Sequence, residues 1–240
     1  MKEPIILIWA INESMELMKK MCNHSLETAN HLNYEPILFG IGLNFIEHKQ
    51  RLELLKEYLQ NVDPAILVVC MDGSDTLFND SVSILLDKFE GMKTSILISA
   101  EKDYTYQYLQ FKELFDSSFS PYRYVNAGTF MGYAGALLEM LEEIELIDKQ
   151  FPEANDQGLL GIWVHNNLHN PGKVKLDLES AVFWVTTQDW YVLKEVAENS
   201  KTIINPNTNQ KPVIIHNVGN QEKSFRAIYD LVFENVMRNN

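Results

Sequence analysis

Apolar residues fall along the chain in short blocks of two kinds. Nearly continuous blocks at Ile5–Ala10, Glu35–Gly40, Ile66–Met71 and Ser95–Ser99 are too short for helices and suit strands buried on both faces. Between them the spacing turns helical. Ser14 to Asn33 reads as one helix, His48–Leu59 as a second with Leu52, Leu55 and Leu59 on one face, and Asp80–Phe89 as a third. Strand and helix alternate four times in the first hundred residues, which predicts an α/β domain built on a parallel sheet.

The second half is less regular. Aromatic residues crowd Tyr104 to Tyr124, and Tyr124 to Ala134 reads as a loop leading into a strand. An acidic amphipathic helix is predicted over Ala136–Ile147, and a further helix over Leu159–Asn166 behind the opening Asn155-Asp156-Gln157. Short strands are expected at Leu176–Glu179, Val182–Thr186 and Pro212–Asn217. The chain then ends in a helix, Ser224–Met237, whose apolar stripe is Phe225, Ile228, Tyr229, Val232 and Phe233. No repeat, low-complexity run or linker interrupts the 240 residues, so a single domain over 1–240 is expected.

Composition changes this picture in three ways. An apolar content of 46% supports one substantial core. A net charge of -13 disfavours nucleic acid as a partner, because a phosphate backbone needs a basic face. It also implies that an anionic ligand would be held locally, by a metal or by backbone N–H groups. The two cysteines, Cys22 in a predicted helix and Cys70 at the end of a buried strand, read as small core residues in a reducing compartment. The first apolar block is too short for a signal peptide or membrane span, so a soluble, cytoplasmic protein with no membrane association is expected.

Chemistry concentrates where the block Ile66–Met71 spills into Asp72-Gly73-Ser74-Asp75. Ligands of open α/β sheets bind at the carboxyl ends of the strands. Two carboxylates on one turn there offer hard oxygen ligands to Mg²⁺ or Mn²⁺. The same residues also suit a turn start and a helix cap, and the motif by itself leaves both open.

In order along the chain stand GIGLNF (40–45), DGSD (72–75), ISAE (98–101), VNAGTFMGYA (125–134), NDQ (155–157), LDLE (176–179) and PVIIHNVGN (212–220). With these pieces the chain resembles the glycosyltransferase domain of the procollagen lysyl hydroxylases (PLOD-type), in a stand-alone form like the bacterial and viral relatives. The resemblance implies a GT-A type fold with a mostly parallel central sheet, Mn²⁺, and a UDP-sugar donor. The activity it implies is transfer of a hexose, glucose or galactose, to a hydroxyl acceptor on a protein side chain, a glycan or a small molecule. The sequence leaves donor sugar, acceptor and oligomeric state open. An alternative is a catalytically degenerate nucleotide-sugar-binding module of the same fold.

The resemblance also assigns residues. Asp72, Asp75 and His216 match the metal ligands, and an imidazole beside two carboxylates favours Mn²⁺ over Mg²⁺. Gly219 matches a loop backbone passing close to the diphosphate, while Lys49 and Lys223 match lysines that reach it. Trp9, Ile11 and Phe45 fall at the nucleobase, Ile11 standing where the family has threonine and Ser74 where it has tyrosine. Asn126 and Gly128 match the loop facing the donor sugar. Asp156 is the catalytic candidate, holding donor hydroxyls or deprotonating the acceptor; Asn155 stands where the family has another aspartate. Glu101 is expected at the same sheet edge, and Tyr104 and Tyr106 near the acceptor in place of a family tryptophan.

Overall fold

A computed structural model of the chain describes residues 2–105, 112–116, 118–200, 202–218 and 223–239. The first half contains β1 (Ile5–Asn12), α1 (Met15–Met21), α2 (Asn23–His31), β2 (Pro36–Ile41), α3 (Gln50–Leu59), β3 (Leu67–Asp72), β4 (Thr76–Phe78), α4 (Val82–Met92) and β5 (Ile96–Glu101). Then follow α5 (Lys112–Asp116), β6 (Tyr124–Tyr133), α6 (Ala134–Asp148), α7 (Asp156–Asn167), β7 (Val174–Asp177), β8 (Phe183–Val185), α8 (Trp190–Asn199), β9 (Ile214–His216) and α9 (Lys223–Asn239).

Six strands form the central sheet in the order β2-β1-β3-β6-β5-β7. Five run in one direction and β6 alone is reversed, antiparallel to both β3 and β5. The continuous apolar blocks follow from burial on both faces. Ile6, Ile8, Val69 and Met71 point into one core, under α2, α4, α8 and α9, while Leu7, Trp9, Val68 and Cys70 point into the other, under α3, α6 and α7. A smaller sheet, β4-β9-β8, lies beside the carboxyl end of β3 and shares the first core.

Several elements differ from the sequence-based expectation. The long helix over Ser14–Asn33 is two helices, because the backbone leaves helical geometry at Cys22, whose side chain is fully buried. Tyr124 to Tyr133 is strand throughout. Its Asn and Gly residues mimic a loop, yet nine of its ten residues are buried in the sheet. The three-residue β4, hidden directly behind the acidic turn, was not expected, and neither were α5 and α8. The strand expected at Leu176–Glu179 lies two residues earlier and ends at Asp177, whose carboxylate closes the turn that follows.

That turn shows a buried carboxylate used purely as an acceptor. Asp177, 1% exposed, accepts the backbone N–H of Ala181 at 2.9 Å and those of Val182 and Phe183 at 2.7 Å each, fixing the entry to β8. Asp177→Ala leaves these buried donors unmatched and should lower unfolding stability by about 3 kcal/mol. Denaturant titration should show the midpoint falling at unchanged slope; an undisturbed midpoint would contradict this account of the turn.

Candidate metal and donor site

The acidic turn is fixed from below before any ligand is considered. Gly73 packs so tightly on β1 that a Cβ there would stand 2.5 Å from the Trp9 carbonyl oxygen and 2.5 Å from Cys22 Sγ. The Ser25 hydroxyl, with one proton to donate, lies within hydrogen-bonding distance of both the Gly73 carbonyl (2.7 Å) and the Thr76 carbonyl (2.5 Å). Tyr229 of α9 also donates to the Thr76 carbonyl. Burial, helped by the charges of Asp75 and Asp72, pushes the Cys22 thiol up to about 12, so it packs under the turn as a neutral group.

The last strand brings the third group. β9 pairs antiparallel with β4, setting His216 opposite Thr76, and the Asn217 N–H donates to the Asp75 carbonyl at 2.8 Å. His216 Nε2 stands 3.6 Å from Asp72 Oδ2 and 3.5 Å from Asp75 Oδ1. One ligand atom from each of Asp72, Asp75 and His216 lies within 4.8 Å of the others. Among the described residues this is the one group of three or more such side chains.

The electrostatics suit a cation. Burial pushes the Asp72 carboxyl above its ordinary value, and Asp75 and Asp156 add to this, against Arg51 and His216. Burial pulls the His216 imidazole down, but Asp75 and Asp72 outweigh it and leave the imidazole raised. Asp75 Oδ1 and His216 Nδ1 are buried without a hydrogen-bond partner. Two carboxylates and an imidazole, with buried atoms unmatched, fit a divalent ion of the Mn²⁺ or Zn²⁺ kind.

A cavity of about 790 Å³ opens beside this group. Trp9, Ile11, Phe45, Asp72, Ser74, Asp75, Asn126, Gly128, Asn155, Asp156 and His216 all line it, as does Glu101. Ile11 packs over Gly40, and Phe45 is half exposed at the rim. Asn155 caps α7, accepting the Gly158 N–H at 2.8 Å, which frees the buried Asp156 to face inward. Asn126 Oδ1 accepts the Gly128 N–H at 2.9 Å, so part of its side chain serves its own turn. Burial pushes the Glu101 carboxyl up, opposed by hydrogen bonds from Thr187, Gln157 and Thr105.

Lys49 departs from expectation. It does not line the cavity; its ammonium lies 3.0 Å from Asp148 and 2.9 Å from the Pro152 carbonyl, bracing α3 against the end of α6. Asp148, at the end of the acidic α6, holds the ammonium. Gly219 and Tyr106 lie outside the described residues, and Lys223 opens α9, its side chain likewise outside them. No described helix is long and apolar enough to cross a membrane.

A family model for the PLOD GT domain matches residues 22–239. The chain belongs to this family. None of the curated proteins matches it. Among solved structures, a glycosyltransferase involved in glycosylation of the major capsid of PBCV-1 superposes with a TM-score of 0.56 at 12% identity, over 94% of this chain and 98% of that one. The galactosyltransferase LgtC, in complex with donor and acceptor sugar analogues, gives 0.56 at 13%, over 96% of each. Mouse xyloside xylosyltransferase 1 in its apo form gives 0.54 at 11%, over 91% of this chain and 99% of that one. At these identities the likeness is one of fold, the GT-A glycosyltransferase fold.

Within this PLOD-type glycosyltransferase domain, one central residue escaped the reading of the sequence. Arg51, 8% exposed on α3, donates from Nη1 to Asp72 Oδ1 at 2.6 Å and pairs through Nη2 with Asp156. Burial pulls its guanidinium down, yet the two carboxylates hold it above its usual value. The available signal was position: Arg51 lies one turn before Leu55 on the buried face of the helix, where an arginine is rarely found unpaired. Gln157 was read only as part of a motif. It accepts the Ala127 N–H at 3.1 Å and donates to Glu101 at 2.9 Å, tying α7 to β5 and β6.

Gly128 is where the metal group meets β6. A Cβ there would stand 2.2 Å from His216 Cε1 and 2.7 Å from Asp72 Oδ2. Gly128→Ala must therefore push apart two of the three side chains of this candidate metal group. Mn²⁺ affinity should fall at least about tenfold, as when groups that orient ligands are lost, while circular dichroism still reports a folded chain. Unchanged Mn²⁺ affinity in the folded variant would contradict this geometry.

Proposed function

We propose that this glycosyltransferase domain moves a hexose, glucose or galactose, from a UDP-sugar to a hydroxyl group, with Mn²⁺ held by Asp72, Asp75 and His216. The observation that carries the reading is the convergence of those three ligands, within 4.8 Å of one another, on the wall of a 790 Å³ cavity. The charge of that wall supports it further. Its lining includes four carboxylates (Asp72, Asp75, Glu101, Asp156) and one guanidinium, Arg51. A nucleoside diphosphate would be repelled there unless a cation came with it.

Each residue then has a task. A bound divalent ion supplies Lewis acidity, stabilising charge on the departing diphosphate. The base lies toward Trp9, Ile11, Phe45 and Ser74, with an aromatic face available for stacking. By resemblance to the family, Gly219 and Lys223 are assigned to the diphosphate in this reading. Asn126, Gly128, Asn155 and Asp156 face the sugar, with the Asp156 carboxylate accepting donor hydroxyls. The acceptor is a hydroxyl of a protein side chain, a glycan or a small molecule, approaching from the Glu101 side. Nucleic acid and membrane are not partners in this reading. A cytoplasmic setting belongs to it too, and is supported by Cys22 and Cys70, both free and buried.

The second reading, a degenerate nucleotide-sugar-binding module, draws on the pairing of Asp156 with Arg51 and on the use of Asn155 as a helix cap. Calorimetry with UDP addresses the site itself. Binding should require Mn²⁺ and weaken at least about a hundredfold in Asp75→Ala, which removes one of three ligands; metal-independent binding would overturn the proposal. Hydrolysis of UDP-glucose or UDP-galactose in Mn²⁺ should then exceed that of Asp156→Asn by at least about tenfold. Binding without any turnover of either sugar would select the degenerate module.

A further inference from the structure

Arg51 spends its fork in an unusual way. One terminal nitrogen goes to Asp72 at the end of β3, the other to Asp156 at the start of α7, and its Nε is buried with no partner. The guanidinium stands 6.0 Å from the centre of the Trp9 ring, which borders the same cavity. Asp72 is thereby divided. Oδ1 is held by Arg51, and Oδ2 is left toward His216, 3.6 Å away. On Asp156, Oδ1 accepts the Gln157 N–H at 2.8 Å and Oδ2 faces Arg51.

A buried ion triad of this kind is a poor stabiliser, since desolvation consumes most of its Coulomb gain and an apolar residue at the same place is often as good. Its geometry points elsewhere. We infer that Arg51 is a positioning residue that couples the metal-ligating end of the site to the sugar-facing carboxylate. This rests on the reading of Asp72, Asp75 and His216 as metal ligands. With Asp156 holding one side of the fork, Arg51 engages Asp72 through a single oxygen and leaves the other for the ion. Released by Asp156, the guanidinium closes bidentately on Asp72, the geometry arginine favours with a carboxylate, and competes for the oxygen the ion needs. A lysine cannot substitute, because one ammonium does not span two carboxylates in fixed directions. A change at the sugar end is therefore felt at the metal.

Mn²⁺ alone, titrated without nucleotide and followed by the electron paramagnetic resonance of the free ion, reads this directly. Denaturant titration first establishes that each variant is folded. Asp156→Asn, nearly isosteric and not itself one of the three ligands, should weaken Mn²⁺ binding about tenfold, and Arg51→Lys similarly. In an Arg51→Met background, adding Asp156→Asn should change affinity by less than about twofold, because the coupling is already gone. Wild-type affinity in Asp156→Asn or in Arg51→Lys overturns the inference, as does full additivity in the double variant. If the wild type binds Mn²⁺ and shows this pattern but binds no UDP, the coupling stands and the donor reading falls. A wild type that binds no Mn²⁺ overturns both.

Discussion

Asp72, Asp75 and Asp156 are gathered at one wall of a cavity, and like charges brought together with restricted access to water oppose the fold that gathers them. Two basic side chains from distant elements answer that repulsion. Arg51 offsets part of it from inside α3. His216 offsets part of it from the end of β9. Four lining carboxylates against one guanidinium still leave an excess of negative charge, which a divalent ion at the three ligands would relieve.

The scaffold makes this arrangement hold its shape. The DGSD turn is pinned by Ser25, Tyr229 and the close approach of Gly73 to β1, and its exit is paired through β4 with the last strand. Residues far apart in sequence thus meet because a three-residue strand follows the turn immediately. Gly128 supplies the space they meet in. The repulsive centre can be built because its supports are packed and hydrogen-bonded in their own right, the same division of labour by which preorganised sites are held.

The parallel part of the sheet was legible because its strands are buried on both faces and so read as apolar runs. Strand β6 was not, because Asn126, Gly128 and Gly132 are loop formers used here for close approach inside a sheet. Strand β4 is too short to carry a period, and the break at Cys22 comes from burial beneath Gly73, a contact no local pattern encodes. The metal-ligand candidates were visible as a motif, and the structure gathers them. Arg51 was hidden because a helical arginine ordinarily faces water, and its role depends on Asp156, more than a hundred residues later. The partner of Lys49 was hidden too, because Asp148 lies 99 residues further along the chain.

The central claim is that Asp72, Asp75 and His216 hold one divalent ion against the cavity. The most direct measurement is an anomalous-difference map from a crystal grown with Mn²⁺ and UDP. The account predicts a single strong peak coordinated at once by an oxygen of Asp72, an oxygen of Asp75 and a nitrogen of His216. A peak bound elsewhere, or one touching the acidic turn while His216 points away, would contradict it.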